Sequence, residues 1–359
     1  MKGMGVEAVD MRASEMELLD CTLRDGSYAV DFQLDEKFVV KLLSRLNQTP
    51  LRRIEIGHGH GLEAERAGMQ PCNIDHYRWC EIACSTVTNK SWGMFAQPEF
   101  TRLETISKVC DLGMSFVRVG LEPHKVAENL GYLHDATDVC DQVYLNLMKS
   151  STVSADELLS LLDNVRAVSL AGVYIVDSYG AMLPSDVHKY VATLRGRFKV
   201  IGFHGHDNLG LANVNSITAL EAGATVVDGT FNGIGRGAGN ASIESLAAII
   251  NILGADRFDY QELAELAELC RINMDVVPQS REMAVLGGVI GIHSGHFPLV
   301  EELCAEYGVK PGRLMEAAIE LAPHVPGPAD LLAAARQIAD DTGSQRGRRV
   351  DQSVAAARQ

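Results

Sequence analysis

Short apolar runs alternate with longer amphipathic stretches along most of the chain. The runs read as strands at Glu17–Cys21, Arg53–Ile56, Ser91–Phe95, Phe116–Val119, Val143–Leu147, Val173–Val176, Val200–Phe203 and Thr225–Val227. Between them, Glu36–Leu46 (EKFVVKLLSRL), Ala155–Val165 and Val214–Ala222 repeat their apolar positions with the 3.6-residue period of a helix. Strand and helix in alternation imply parallel βαβ units. Eight such units have the size of a closed (β/α)₈ barrel, a TIM barrel. The rival, an open doubly wound sheet, lacks its Gly-rich fingerprint after the first strand. From about Asp259 the strands stop. Tyr260–Met274, Pro298–Tyr307 and Gly312–Leu321 read as helices, with Pro311, Pro323, Pro326 and Pro328 as punctuation. The expected organisation is an N-terminal tail (1–16), a barrel (17–257), a helical C-terminal subdomain (258–340) and a flexible polar tail (341–359).

Composition narrows the function. Of 359 residues, 47% are hydrophobic and 22% charged, the balance of an ordinary globular protein. The net charge of −15 argues against a nucleic-acid partner, because phosphate affinity needs a basic face. Neither a stretch of 18 apolar residues nor an apolar leader is apparent, so a cytoplasmic protein without membrane contact is expected. The eight cysteines are scattered and read as reduced thiols.

Three segments carry candidate chemistry. In Phe203–Asn208 (FHGHDN), His204 and His206 stand two apart after an apolar run, which in a strand puts both rings on one face. At a barrel strand's C-terminal end they would enter the mouth, where barrel active sites lie, and two neutral imidazoles suit a first-row divalent metal. A bare HxH pair is equally open to a structural reading. In Asp20–Gly26 (DCTLRDG), Asp25 can serve as a carboxylate ligand and Arg24 as a fixed cation. The plainer reading is a strand-end salt bridge from Arg24 to an acid such as Glu55. In Phe231–Glu244 (FNGIGRGAGNASIE), glycines precede Asn240, which stands either as a helix N-cap or as a carbonyl donor near the metal.

Together the three segments resemble the DRE-TIM metallolyase superfamily, metal-dependent lyases and acyl transferases named for an Asp-Arg-Glu set on a TIM barrel. The resemblance implies Asp25, His204 and His206 as metal ligands with Asn240 beside them, Arg24 as the catalytic arginine and Glu55 as the family glutamate. IEIGHGHGL (Ile54–Leu62), IGRGAGN and the C-terminal LGGVIGIHSGHFPLVEELCAEYGV are most similar to the 4-hydroxy-2-oxovalerate aldolase branch. That branch implies divalent-metal-dependent retro-aldol cleavage of a 4-hydroxy-2-oxo acid to pyruvate and an aldehyde. Mn²⁺ is the first choice, with Mg²⁺, Co²⁺ and Zn²⁺ as alternatives. It also implies a homo-oligomer and an acylating aldehyde dehydrogenase as partner.

One departure affects the proton chemistry. The aldolases carry a histidine base two residues past the Gly of TLRDG, and here Tyr28 stands there. A phenol is a poorer base than an imidazole at neutral pH. Where the aldolases have a tyrosine in the C-terminal subdomain, this chain has His293, with His296 close by, so base and phenol are expected to have exchanged places. The alternative is that His293 packs and Tyr28 shapes the pocket. His58 and His60 are read as substrate-binding residues or as surface loop, and Asp177 as a support for a metal-bound histidine or a substrate contact. Two rival functions share the motifs: a Claisen-type enzyme joining or cleaving an acyl-CoA and a 2-oxo acid, and a pseudoenzyme that docks a dehydrogenase.

Overall fold

The computed structural model describes residues 16–341 apart from 256, 275–280 and 324. The expected tails, up to residue 15 and from 342 onward, lie outside the described residues. Eight strands form: β1 (Glu17–Asp20), β2 (Arg53–Glu55), β3 (Ser91–Ala96), β4 (Phe116–Leu121), β5 (Val143–Leu147), β6 (Gly172–Asp177), β7 (Ile201–Gly205) and β8 (Val226–Gly229). They pair in parallel in chain order, and β8 returns to β1 with Leu19 opposite Asp228, closing the barrel.

A helix follows each strand: α1 (Glu36–Leu46), α2 (His76–Thr86), α3 (Leu103–Asp111), α4 (Leu130–Val139), α5 (Ala155–Leu161), α6 (Pro184–Leu194), α7 (Ala212–Ala222) and α8 (Ile243–Ile252). The 3.6-residue pattern decides which face each presents. On α1 it is Phe38, Val39, Leu42, Leu43 and Leu46 that are buried, and each contributes roughly 1.5–3 kcal/mol on leaving water. Asp35 caps this helix by accepting the Phe38 N–H. Ala155–Val165, expected as one helix, ends at Leu161 and continues as a short 3₁₀ turn at Asn164–Ala167.

Inside the barrel, alternate residues point inward. Leu19, Cys21, Phe116, Tyr144, Tyr174 and Val226 form its apolar floor. Two glycines make room for the large rings. A Cβ on Gly93 would lie 2.3 Å from the Phe116 carbonyl oxygen, and one on Gly202 would lie 2.2 Å from the Tyr174 ring. Above this floor the inward positions turn polar, and that layer carries the site.

The chain divides into two compact units, residues 1–278 and 279–359. Helix α9 (Tyr260–Asn273), expected in the C-terminal subdomain, belongs to the first unit. It buries Leu263, Leu266, Ala267 and Cys270 and packs on α1 and α8, beside the strand pair that closes the barrel. The second unit contains α10 (Arg281–Ile290), α11 (Phe297–Tyr307), α12 (Pro311–Leu321) and a helix at 328–341. Its own core includes Met283, Ile292, Val300, Leu303, Leu314 and Leu331. Among the described residues no helix is long and apolar enough to cross a membrane.

Candidate active site

Asp25 opens a 3₁₀ turn directly after β1, and the N–H groups of Arg24 and Asp25 both donate to the Cys21 carbonyl. His204 lies within β7 and His206 one residue past its end, so the strand's two-residue period brings both rings to the mouth. Their ring centroids are 5.0 Å apart, and one ligand atom from each of Asp25, His204 and His206 lies within 4.8 Å of the others.

Each imidazole is oriented through Nδ1. His204 Nδ1 donates to Asp228 Oδ2 at 3.0 Å, and His206 Nδ1 to the Asp177 carbonyl at 2.9 Å. Both Nε2 atoms are thereby left as acceptors, and His204 Nε2 stands 3.5 Å from Asp25 Oδ2. Burial, then the neighbouring His204, lowers His206 to about 4, which keeps the ring neutral as a ligand must be. Burial alone would raise the Asp25 carboxyl, but Arg24 above all, with His204 and His206, holds it well below the usual carboxylate range.

Asn240 lies beside this cluster and does not cap a helix. Helix α8 is entered through Ser242, whereas Asn240 bridges to His206. Its Oδ1 is buried without a hydrogen-bond partner. Such an orphaned acceptor beside two imidazoles and a carboxylate fits a fourth ligand to a cation. The Gly-rich loop exists to hold it there. A Cβ on Gly235 would come within 2.2 Å of Asn240 Nδ2, and one on Gly239, at φ +85°, within 2.1 Å of the Gly233 carbonyl.

Arg24 is clamped from both sides, Nη1 on Asp25 at 2.7 Å and Nε on Glu55 at 2.6 Å. Glu55, read from the sequence as a salt-bridge partner of Arg24 or, by resemblance, as the family glutamate in contact with substrate, spends both oxygens on arginines. Oε2 takes Arg24 and Arg118, and Oε1 takes Arg118 Nε at 2.7 Å. Burial opposes ionisation of Glu55, yet Arg118 and Arg24 bring it down to about 2. Arg118 also donates to Asp228, the residue that orients His204. A fully buried ionic chain therefore runs from Arg24 through Glu55, Arg118 and Asp228 to the metal-ligand set. Sequence reasoning missed Arg118 and Asp228. The available signal was a charge inside otherwise apolar strands, FVRVGL and VVDG, since a buried charge must find a partner.

Tyr28 is half-buried at the mouth. Its ring meets His60 edge-on at 5.0 Å and Phe32 at 5.2 Å, and the Arg236 guanidinium carbon lies 5.2 Å from its centroid. Burial pushes the phenol up to about 12. His60 is pushed down to about 3, first by burial, then by Arg236 and His58. His58 is tied into its own loop. Its Nε2 bonds the Gln70 carbonyl at 2.8 Å, its Nδ1 accepts the His60 N–H, and its ring stacks on Phe32 at 4.1 Å. Asp177 is likewise held by the main chain. Its two carboxylate oxygens accept the N–H groups of Ala181 and Met182, and its support of His206 comes through the main chain. His293 and His296 stand in the second unit, where His293 Nδ1 accepts the Gly295 N–H and caps a 3₁₀ turn.

A closed parallel barrel with a candidate cation site and a clamped arginine at its mouth is the arrangement of a barrel enzyme. The HMGL-like family model matches residues 15–272. An oxaloacetate decarboxylase of Mycobacterium tuberculosis is 36% identical over 66% of this chain and 70% of its own. A 4-hydroxy-2-oxovalerate aldolase of Spirochaeta aurantia is 32% identical, covering 82% of this chain and 87% of its own. The carboxyl transferase domain of Rhizobium etli pyruvate carboxylase, solved with pyruvate and biocytin, shares the fold. Its TM-score is 0.74 at 14% identity over 93% of this chain and 62% of that one. The chain belongs to the HMGL-like family, of the DRE-TIM kind, and is a carbon–carbon lyase.

Proposed function

We propose that the chain cleaves the C3–C4 bond of a 4-hydroxy-2-oxo acid to give pyruvate and an aldehyde. The observation that supports this is the convergence of Asp25, His204, His206 and the orphaned Asn240 Oδ1 beside the clamped Arg24. Those four residues would hold a divalent ion, which would supply Lewis acidity at the keto oxygen of the substrate. Arg24, held rigid by Asp25 and Glu55, presents a second positive charge to that oxygen as negative charge builds on it. Tyr28 stays protonated at neutral pH and gives its proton to C3 after the bond has parted. A base must take the proton from O4, and by sequence position His293 and His296 are its candidates.

A second reading, loss of CO₂ from a 2-oxo acid with a C4 carboxylate, is favoured by one observation. With Tyr28 near 12 and His60 near 3, neither side chain is matched to take a proton from O4 at neutral pH. Decarboxylation needs a proton donor for C3 but no such base. The M. tuberculosis relative is an oxaloacetate decarboxylase. Pyruvate release from a panel of 4-hydroxy-2-oxo acids and from oxaloacetate separates the readings. The aldol reading predicts turnover of the hydroxy acids and its loss in His293→Ala or His296→Ala. Turnover of oxaloacetate alone, unaffected by both variants, contradicts it.

A further inference from the structure

Three guanidinium groups lie at or beneath the barrel mouth, and two of them are spoken for. Arg24 lies between Asp25 and Glu55, and Arg118 between Glu55 and Asp228. Arg236 pairs with no carboxylate among the described residues; its neighbour is the Tyr28 ring. Its backbone is tied to the centre of the site, because its N–H donates to Asp25 Oδ1 at 3.3 Å and the preceding Gly235 has no room for a Cβ beside Asn240.

The surface on which it rests is also built. A Cβ on Gly59 would lie 2.7 Å from the Tyr28 ring and 2.9 Å from Phe32. Phe32 itself is held at φ +62°, next to Asp31 at +48°, a conformation costly for a bulky side chain. Strain of this kind persists where the surroundings over-determine it, and here it keeps Phe32 against Tyr28 and His58. A half-buried cation whose own main chain contacts Asp25, laid on a fixed aromatic ring and unmatched by a carboxylate among the described residues, is a receptor for an anion. On the cleavage reading, the Asp25–His204–His206 set and Arg24 take the C1 carboxylate and keto oxygen of the 2-oxo acid. Arg24 lies over Phe95 and Arg236 over Tyr28, so the two cations address different parts of the mouth.

We propose that Arg236 reads the departing half of the substrate, and that this half carries a carboxylate: the substrates are 2-oxo acids with a second carboxylate on or beyond C4. The proposal rests on the C3–C4 cleavage reading for what a substrate is, and its test reads binding separately from turnover. The probes are malate and lactate, the 2-hydroxy analogues of a four-carbon diacid and a three-carbon monoacid. Each is titrated calorimetrically into the metal-loaded wild-type protein, Arg236→Gln and Arg236→Lys. Thermal melts establish that the variants fold.

The wild type is expected to bind malate about tenfold or more tighter than lactate, the scale of one charge-assisted pair. Arg236→Gln removes the preference, and Arg236→Lys, which keeps the charge but not the fork, restores part of it. In kinetics the same substitution raises KM for oxaloacetate far more than for neutral 4-hydroxy-2-oxopentanoate. Equal weakening of malate and lactate would assign Arg236 to the C1 carboxylate and overturn the proposal, as would an unchanged preference. A preference for malate that depends on Arg236, in a protein that cleaves no 2-oxo acid, would uphold the proposal while refuting the cleavage reading.

Discussion

Asp228 makes no contact with the cation position, yet it decides which nitrogen of His204 faces it. It accepts the Nδ1 proton and is itself held by Arg118. Asp228→Ala is therefore expected to lower divalent-metal affinity by about 10–100-fold, as for other residues that orient a histidine ligand. A titration showing an unchanged Kd would contradict that role. That His204 and His206 share a face was legible from the two-residue strand period, whereas their grouping with Asp25 came from the resemblance to the metallolyases. Asp228 and Arg118 were not legible, because their bonds span 24, 63 and 110 positions and nothing local encodes them. For Glu55, His58 and Asp177 the sequence left two readings open, and the structure shows the plainer one: the Arg24 salt bridge, a loop contact and support of His206. Their partners, Arg118, the Gln70 carbonyl and the Ala181–Met182 main chain, consume the atoms that a substrate would need.

At the scale of elements, the alternation of apolar runs revealed all eight strands, with ends displaced by a residue or two. β7 runs on through His204 and Gly205 because pairing with β6, Val176 opposite His204 and Asp177 opposite Gly205, continues past the apolar run. Pairing of this kind depends on the neighbouring strand and not on hydrophobicity. The helix at Tyr260–Asn273 was legible as a helix but misassigned to the second unit, since an amphipathic face does not name its partner. The barrel interior sets a sharper condition on β3. Gly93→Ala places a Cβ against the β4 main chain at Phe116, where no side-chain rotation relieves it. Overpacking there is expected to cost about 1–3 kcal/mol or more, read as a lower urea midpoint with the m-value retained. A midpoint equal to that of the wild type would contradict the interior packing described.

For the whole molecule, the account joins a fold to one chemical centre. Closing β8 onto β1 places the turn after β1 beside the ends of β7 and β8, so Asp25, His204, His206 and Asn240 meet although they span 216 positions of sequence, from 25 to 240. The ionic chain beneath them fixes the arginine and one histidine at once. The central claim is that this cluster holds one divalent ion on which carbon–carbon cleavage depends. Metal analysis of the purified chain, paired with pyruvate release before and after chelation, tests it most directly. The account predicts about one divalent ion per chain, loss of turnover on its removal, recovery with Mn²⁺, and little bound metal in an Asp25→Ala, His204→Ala double variant. Full pyruvate release from metal-stripped protein, or unchanged metal content in the double variant, would contradict it.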